Sequence, residues 1–283
     1  MAQIIDGREV AKKTRENLKK EVEELKINNI KPKLAVIMVG DNVASKVYVK
    51  NKSKACNEVG VEYEEYLLDT NTSQKELIEL INKLNQDRAV NGILLQSPLP
   101  PHFDINEAFQ TIDYRKDVDG FHPMNVGKLV LGQDTFVSCT PYGIMRLFEE
   151  YDIDLCGKNV VILGRSNIVG KPLVQCCLNK NATVTVCHSK TTNVTEVVQN
   201  ADVLISAIGK PCFVTENMVK DGAVVIDVGI NRLDTGKIVG DVDFENVSKK
   251  ASYITPVPGG VGPMTIAMLL NNVVKATKQQ NKY

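Results

Sequence analysis

Tyr48 and Lys52, in the segment ASKVYVKNKSKACNEVG, are four residues apart, a spacing that allows the two side chains to act together. At about 100° per residue, a helix places residues four apart on one face. Lys46, Lys50 and Lys54 then share a solvent-facing side, whereas Lys52 lies on the less polar side with the tyrosine. Two interpretations stay open. Lys52 reaches from the edge of the core to water, or it is a functional amine in a partly dry site.

Further polar candidates lie downstream in the same half of the chain. Gln96 ends the apolar run VNGILLQ, and Asp117 and Asp119 lie in KDVDGFH. Ligands of parallel α/β sheets bind at the carboxyl ends of the strands, so Gln96 is a candidate ligand contact. An Asp-Gly pair also favours a turn, so Asp119 is either a turn residue or a binding residue.

A glycine turn lies between a predicted strand and a predicted helix in VVILGRSNIVGKPL, bounded by Gly164 and Gly170. Such a turn at a helix N-terminus is suited to bind a phosphate. The usual dinucleotide pattern has a glycine where this chain has Ser166, so the turn alone is a weak indication.

The next predicted strand, ATVTVCH, favours NADP over NAD. NAD enzymes commonly have an acidic residue after this strand, on the ribose hydroxyl. This chain instead has His188, Ser189 and Lys190, with Arg165 in the glycine turn. Hydrogen-bond donors and cations suit a 2′-phosphate. The alternative is that Arg165 and Lys190 are solvated surface charges.

The segment ITPVPGGVGPMT concentrates three prolines and three glycines before a predicted helix. It is either a rigid turn or a backbone that approaches a flat ligand closely. The sequence contains no G-x-S-x-G elbow, HExxH pair or Walker A lysine motif. Hydrolases and nucleotide triphosphatases that use those motifs are therefore disfavoured.

Composition narrows the class of protein further. Lys+Arg and Asp+Glu both number 34 in the 283 residues, so no basic excess favours nucleic acid and no charge asymmetry favours a membrane surface. No apolar run has the length of a signal peptide core or a membrane span. Seven cysteines without a CxxC motif and three scattered histidines predict a reduced, cytoplasmic protein without a metal site.

Strands and helices alternate in the first half of the chain. KPKLAVIMVG, VEYEEYLL and VNGILLQSPLP predict strands. The helix that contains Lys52 is expected to end at Gly60, and Ser73 and Glu76 form a capping box that starts the helix SQKELIELINKLNQ. DINEAFQTID predicts a short helix, and DVDGFHPMNVGKLVLGQDTFVSC predicts a loop. This order predicts a parallel sheet covered by helices.

A second α/β series follows, with the domain boundary predicted near Cys139. Thr140 and Pro141 are expected to begin the helix PYGIMRLFEEYD. The strands NVVILG, ATVTVCH, ADVLISAIG and AVVIDVGI alternate with helices from about Gly170 and near 194–199. The periodicity of the final helix, MTIAMLLNNVVKATKQQ, allows it to pack on either series.

Seven segments, in a fixed order along the chain, resemble the motifs of a known enzyme family. They are ASKVYVKNKSKA, GILLQSPLPPH, KDVDGFHPMNVGKL, TPYGIMRLFE, GRSNIVGKPL, ATVTVCHSKT and PVPGGVGPMTIAMLL. Over nearly its whole length the chain resembles the bifunctional methylenetetrahydrofolate dehydrogenase/methenyltetrahydrofolate cyclohydrolase family. QSPLP departs by one residue from the commoner QLPLP.

The resemblance implies a two-domain α/β homodimer with the folate in the cleft between the domains. An N-terminal α/β catalytic domain is expected over 1–139, with the C-terminal helix 264–283 packed back on it. A Rossmann-type NADP-binding domain is expected over 140–263.

The resemblance also implies roles residue by residue. Lys52 matches the family's essential lysine, Tyr48 its stacking tyrosine and Gln96 the glutamine that tunes the lysine. Asp119 matches the residue that holds the pterin. The expected cofactor contacts are Gly164, Arg165, Ser166, Ser189 and Ile230, and the expected substrate-side loop is Pro258, Gly259, Gly260, Val261 and Gly262.

The implied activity has two steps in one-carbon folate metabolism. 5,10-Methylenetetrahydrofolate is oxidised with NADP⁺ to 5,10-methenyltetrahydrofolate, which is then hydrolysed to 10-formyltetrahydrofolate. Neutral Lys52 is expected to manage protons in the hydrolysis, since burial and a cationic substrate both lower the pKa of a lysine from about 10.4. Gln96 positions the amine, Tyr48 stacks on the folate, and Asp119 accepts N–H donors of the amino-pyrimidine.

Two rival interpretations remain. One is another NADP-dependent two-domain dehydrogenase, of the shikimate dehydrogenase type. The other is a nucleotide-sensing module that binds the cofactor without turnover. The first does not account for PVPGGVGPMT or for the positions of Tyr48 and Lys52.

Overall fold

The computed structural model describes the backbone of residues 1–283 and every side chain except that of Ala44. Contacts divide the chain into two compact units. The six-stranded unit contains Met1–Lys12 and Ser138–Thr265, and the three-stranded unit contains Lys13–Val137 and Ile266–Tyr283.

The elements follow one another along the chain in this order: β1 (Gln3–Ile4), α1 (Gly7–Ile27), β2 (Lys33–Val39), α2 (Val43–Val59), β3 (Glu62–Leu68), α3 (Gln74–Gln86), β4 (Gly92–Leu95), α4 (Ile105–Thr111), α5 (Pro123–Val130), α6 (Cys139–Glu150), β5 (Asn159–Leu163), α7 (Gly170–Leu178), β6 (Thr183–Cys187), α8 (Val194–Val198), β7 (Val203–Ser206), a short 3-10 helix (Glu216–Met218), β8 (Val224–Asp227), β9 (Asn231–Arg232), β10 (Ile238–Val239), α9 (Phe244–Val247), β11 (Tyr253–Ile254) and α10 (Val261–Asn281).

The three-stranded unit is built on a parallel sheet in the order β3-β2-β4. Strand β2 is apolar and buried after its first residue, as expected for a central parallel strand covered on both faces. Helix α3 packs Leu77, Ile81 and Leu84 onto one of these faces, in the same apolar cluster as Ile37 and Ile93. Each such fully buried side chain contributes about 1.5–3 kcal/mol to folding.

The helix that carries the candidate lysine has a defined start and end. The side chain of Asn42 accepts a hydrogen bond from the backbone N–H of Ser45 at the start of α2. Gly60 ends the helix in the left-handed region, with φ of 86°, and its N–H donates to Cys56 O. The predicted glycine C-cap is confirmed, as is the Ser73–Glu76 capping box of α3.

The six-stranded unit has a parallel sheet in the order β1-β11-β8-β7-β5-β6. The chain passes from β5 to β6 on one side and then returns to β7 on the other, so a topological switch point lies between β5 and β7. The register pairs Leu163 with both Cys187 and Ser206, and Ser206 with Asp227. The carboxyl ends of these strands therefore align along one edge, where open α/β sheets bind their ligands.

Each end of the chain groups with the unit that contains the other half of the sequence, which the amino-acid composition did not predict. Strand β1 is parallel to β11, with Gln3 opposite Tyr253, so residues 1–12 group with the six-stranded unit although the expected division placed them within 1–139. Residues 266–283 group with the three-stranded unit.

Two local expectations were wrong. The segment expected to be a loop contains α5, which His122 caps through its ring nitrogen and in which Pro123 occupies the first turn. Helix α6 begins at Cys139 with Ser138 as its N-cap residue, two residues before the expected Thr140. The side chain of Ser138 donates instead to Ile168 O, so no side-chain cap marks this helix start.

Candidate active site

The amine of Lys52 and the amide of Gln96 meet in the three-stranded unit. Lys52 lies on α2 and is half-buried, and its Nζ donates to Gln96 Oε1 at 2.9 Å. Gln96 directly follows β4, and its backbone N–H extends the sheet ladder by donating to Ile37 O. Its Nε2 donates to Ser97 O, which turns Oε1 towards the lysine. The glutamine thus offers a fixed acceptor to the amine.

The surroundings of this pair differ on its two sides along α2. One turn before Lys52, the ring of Tyr48 is 48% exposed, so an apolar face is open to a ligand. One turn after it, Cys56 is fully buried, and burial raises the pKa of its thiol to about 12. The thiol therefore stays protonated, and it provides an uncharged, buried neighbour to Lys52 on the same helix.

The two candidate aspartates of KDVDGFH have different structural roles. Asp117 is buried, and its carboxylate accepts hydrogen bonds from the backbone N–H groups of Gly120, Phe121 and His122 and from Asn125 Nδ2. Burial raises the pKa of Asp117 above its usual range. Asp117 therefore holds the turn, and Asp119, half-buried within that turn, is the carboxylate that remains partly open to solvent.

The glycine turn of the six-stranded unit is closed by contacts that only glycine permits. Gly164 follows β5 with φ of 111°, and a Cβ atom there would lie 2.4 Å from Ala207 O. A Cβ atom on Gly170, at the start of α7, would lie 2.4 Å from Gly164 O. Ser166 Oγ accepts from the backbone N–H of Val169, so the serine closes the turn in place of the usual second glycine.

A cavity of about 490 Å³ opens at the carboxyl ends of β5, β6 and β7. It is lined by Leu163, Gly164, Arg165, Ser166, Cys187, His188, Ser189, Thr191, Val194, Ala207, Ile208, Lys210 and Phe213. The lining includes four of the five expected cofactor contacts. The glycine turn suits a pyrophosphate at the N-terminus of α7, and the arginine and serine are donors suited to a 2′-phosphate. These residues fit NADP.

Ile230, the fifth expected contact, lies outside that lining but beside the other glycine-rich loop. Its side chain is 56% exposed, and a Cβ atom on Gly262 would lie 3.9 Å from its Cδ1. Ile230 and the loop from Pro258 to Gly262 therefore border one another within the six-stranded unit.

The loop from Pro258 to Gly262 packs its backbone tightly against the start of α1. A Cβ atom on Gly7 would lie 1.7 Å from Gly260 O, and Gly259 adopts φ of 118° beside Arg8. Pro258 is exposed, whereas Val261 is only 3% exposed. The side chain of Val261 is therefore inaccessible from solvent, whereas that of Pro258 is accessible.

Several residues that line the cavity were not found from the sequence. Thr191, Lys210 and Phe213 lie in loops after β6 and β7. Thr191 Oγ1 accepts from His188 N, which closes the turn that carries Ser189. Its position just after the HSK segment was a usable indication, whereas Lys210 and Phe213 come from a loop without a motif.

The described part of the chain has neither a metal-binding cluster nor a membrane-spanning helix. Outside the side chain of Ala44, no group of three or more histidine, cysteine, aspartate or glutamate side chains has a metal-binding arrangement. Over the same part of the chain, no helix combines the length and apolar character needed to cross a membrane.

Two family models match the chain. Residues 5–119 match the catalytic domain of tetrahydrofolate dehydrogenase/cyclohydrolase, and residues 138–281 match its NAD(P)-binding domain. The chain is also 58% identical over 281 residues to the "Bifunctional protein FolD" of Acetivibrio thermocellus, covering 99% of both proteins.

Solved structures agree with these matches. A FolD methylenetetrahydrofolate dehydrogenase/cyclohydrolase from Campylobacter jejuni superposes with a TM-score of 0.98 at 54% identity, covering 99% of both chains. The Trypanosoma brucei enzyme, solved with NADP and an inhibitor, gives 0.95 at 38% identity, covering 100% of this chain and 99% of the other.

The rival dehydrogenase type is only a distant structural neighbour. Shikimate 5-dehydrogenase from Thermus thermophilus superposes with a TM-score of 0.54 at 13% identity, which shows a shared fold and nothing more. The family matches instead cover both units of the chain, the one with Lys52 and Gln96 and the one with the cofactor cavity. The chain therefore belongs to the tetrahydrofolate dehydrogenase/cyclohydrolase family.

Proposed function

We propose that this chain oxidises 5,10-methylenetetrahydrofolate with NADP⁺ and hydrolyses the product to 10-formyltetrahydrofolate, with Lys52 as the group that moves protons in the hydrolysis. The observation that carries the proposal is the hydrogen bond from Lys52 Nζ to Gln96 Oε1, within a domain that matches the family's catalytic domain.

In the oxidation, the methylene carbon loses a hydride and the folate nitrogens stabilise the cation that remains. NADP⁺ supplies the hydride acceptor when it is bound. The residues of this chain bind and orient, since positioning is the main requirement of such a transfer. Gly164 and Ser166 admit the pyrophosphate, Arg165 and Ser189 hold the 2′-phosphate, and the exposed side chain of Ile230 offers an apolar contact.

In the hydrolysis, water attacks the methenyl carbon and loses one proton, which leaves a hydroxyl group on that carbon. The bond from this carbon to N5 of the folate then breaks as N5 gains a proton, and the hydroxyl proton passes to solvent as the formyl C=O forms. One neutral amine can accept the first proton and donate the second. A lysine with the ordinary pKa of about 10.4 is charged at neutral pH. The partly buried position of Lys52 and the positive charge of the methenyl substrate both favour the neutral form.

Gln96 is proposed to aim this amine. Because Oε1 takes one N–H of the neutral amine, the lone pair of Nζ points in a restricted direction. Gln96 Oε1 can also accept from the ammonium form, so the contact survives each proton transfer.

Tyr48 and Asp119 are proposed to hold the folate. Tyr48 has an exposed ring on the same face of α2 as Lys52, which suits stacking on a flat heterocycle. Asp119 lies in a turn fixed by the buried carboxylate of Asp117, and a carboxylate suits the paired N–H donors of an amino-pyrimidine. Pro258, Gly259, Gly260, Val261 and Gly262 are proposed to contribute the substrate-side loop.

Domain division, assembly and location are proposals that rest on the resemblance to the family. We propose a catalytic domain of 1–139 with the helix 264–283, an NADP-binding domain of 140–263, and a cytoplasmic homodimer. Light scattering should then give twice the chain mass of 31.2 kDa. The zero net charge supports small-molecule rather than nucleic-acid ligands.

A coupled assay tests the activity itself. Methylenetetrahydrofolate and NADP⁺ are mixed with the protein, and reduced cofactor and methenyltetrahydrofolate are followed by absorbance. Methenyltetrahydrofolate is then supplied alone. Reduced cofactor in the first assay and hydrolysis above the spontaneous rate in the second are expected. Oxidation without enzymatic hydrolysis would remove the cyclohydrolase half, and turnover of shikimate instead would favour the rival.

A further inference from the structure

A pair of buried carboxylates lies behind the cofactor cavity, outside the residues assigned so far. Asp227 ends β8 and is 3% exposed, and Asp241 follows β10 and is fully buried. A Cβ atom on Gly229 would lie 2.2 Å from Asp241 Oδ1, and a Cβ atom on Gly240 would lie 1.8 Å from Asp227 Oδ2. Both carboxylates therefore rest directly on glycine backbone.

The carboxylate of Asp241 gathers donors from the loop after β7. Its Oδ2 accepts from Ser206 Oγ at 3.2 Å and from the backbone N–H groups of Ile208 and Gly209 at 2.8 and 3.2 Å. Its Oδ1 accepts from the backbone N–H of Lys210 at 2.9 Å. Ile208 and Lys210 also line the cavity, so the same loop borders the site and donates hydrogen bonds to the carboxylate of Asp241.

The same carboxylate holds the segment beside Ile230. Asn231 Nδ2 donates to Asp241 Oδ1 at 3.0 Å. Asp227 in turn fixes Asp241, because its carboxylate accepts from the backbone N–H groups of Asp241, Val242 and Gly229. The loop after β7 and the segment after β8 are thus both tied to the carboxylate of Asp241.

The direction of these hydrogen bonds determines what the loop offers to a ligand. In a planar trans peptide, the carbonyl points opposite to the N–H of the next residue. With the N–H groups of Ile208, Gly209 and Lys210 turned towards Asp241, the carbonyls of residues 207–209 turn away from it. Ala207 O accordingly lies against Gly164 at the cavity, as the blocked Cβ position there shows. These carbonyls are acceptors for donors such as ribose hydroxyls or a carboxamide.

We propose that Asp241 is a positioning residue for the cofactor. Its buried carboxylate holds the Ile208–Lys210 loop and Asn231 in the orientation that binds NADP. The carboxylate itself contacts neither NADP nor the folate. A buried carboxylate that loses its hydrogen-bond donors is costly, so the loop and the carboxylate order one another. The proposal rests on the proposed function only in taking NADP as the occupant of the cavity.

The test is Asp241→Asn in the full chain, with the dissociation constant of NADPH measured by fluorescence. Asparagine keeps one acceptor oxygen but turns an NH₂ group towards backbone donors. We expect NADPH to bind about tenfold more weakly and the KM for NADP⁺ to rise in parallel. Hydrolysis of methenyltetrahydrofolate supplied alone, which uses no cofactor, should stay within about twofold of the wild type.

Asp243→Asn is the matched control. Asp243 is a carboxylate two residues away that caps α9 through Asn246, so its loss weakens structure without touching the cofactor loop. Its NADPH affinity should equal that of the wild type. If Asp241→Asn does not fold, Asn231→Ala removes one of the ties while keeping the carboxylate, and should weaken NADPH about threefold.

Two results would overturn the proposal. One is wild-type NADPH affinity in Asp241→Asn, or in Asn231→Ala where the first variant does not fold. The other is an equal loss of cofactor binding and of hydrolysis, which would reflect general unfolding. A wild-type protein that binds NADPH but turns over no folate would refute the proposed function, while cofactor affinity would still decide the role of Asp241.

Discussion

The side-chain oxygen of Gln96 lies 2.9 Å from the amine of Lys52, although 44 residues separate them in sequence. One comes from a helix and the other from the end of the neighbouring parallel strand. Because Gln96 also continues the sheet ladder through its backbone, its side chain starts from a rigid point. Gln96 therefore presents its acceptor oxygen to Lys52 from a fixed position.

Replacing Lys52 separates proton handling from binding. Lys52→Met keeps an unbranched apolar stem of similar size but removes the amine. Hydrolysis of methenyltetrahydrofolate should therefore fall by about 10²–10⁴-fold, the usual contribution of general acid–base catalysis. Folate should still bind. The measurement is the single-substrate hydrolysis rate, with folate affinity by calorimetry.

Lys54→Met is the control for that change. Lys54 lies on the same helix but is exposed, so its loss should leave hydrolysis within about twofold. Full hydrolysis by Lys52→Met would remove the amine from the mechanism.

The two aspartates of the KDVDGFH turn should respond oppositely to replacement. Asp119→Ala should raise the dissociation constant of folate about 10–100-fold, as expected for loss of a charge-assisted hydrogen bond, with little change in melting temperature. Asp117→Ala should instead lower the free energy of unfolding by about 3 kcal/mol, because buried N–H donors lose their acceptor. Folate titration and chemical denaturation of both variants distinguish the roles. Unchanged folate affinity in Asp119→Ala would contradict its assignment.

Cofactor preference follows from the donors in the cavity. At equal concentration, NADP⁺ should be reduced faster than NAD⁺. Ser189 lies where NAD enzymes commonly have an acidic residue, and Arg165 adds a cation from the glycine turn. Arg165→Ala should weaken NADP⁺ about 10–100-fold and leave NAD⁺ nearly unchanged, because only the former carries the 2′-phosphate. The readout is the ratio of kcat/KM for the two cofactors.

Lys180→Ala serves as the matched removal of a surface cation in the same unit. Lys180 pairs with Glu149 and should leave the cofactor ratio unchanged. A wild-type preference for NAD⁺ would show that the arginine and serine do not bind a phosphate.

Asp227 predicts a pH dependence of stability. Burial raises the pKa of its carboxyl to about 6, with the nearby Asp241 adding to the rise and backbone donors opposing it. The folded state then holds the proton more tightly than the unfolded state, whose pKa is about 3.9. This contribution to stability is fully present below pH 4 and is lost as the pH rises through 6, an effect of about 3 kcal/mol.

Asp227→Asn isolates that contribution, because the variant does not titrate there. The difference in free energy of unfolding between wild type and variant should shift by about 3 kcal/mol between pH 4 and pH 7, with the wild type losing. Urea denaturation at each pH measures it. A difference that is flat with pH would mean that the carboxyl titrates normally.

Much of the architecture could be predicted from local pattern. Apolar runs such as that of β2 and caps such as Gly60 and Ser73 depend only on neighbouring residues, and they are where expected. Helix α5 was missed because Gly127 and Pro123 resemble loop composition, and because exposed Met124 and Val126 break the apolar periodicity.

The geometry of the candidate site was less accessible from the sequence. The side chains of Lys52 and Gln96 could be named one by one, but their contact depends on how α2 packs on the sheet. Asp241 could not be found, since its donors come from β7, from the following loop and from Asn231. Such a carboxylate has no local motif, because its partners are brought together only by the fold.

Gly229 and Gly240 have a practical consequence for mutational scanning. Each backbone is pressed against a carboxylate so closely that even a methyl group would overlap it. In a mutant library selected under conditions where growth requires the one-carbon folate product, every substitution at both positions should therefore be depleted, alanine included. A scan read without the structure would count them as active-site residues, although neither lines the cavity.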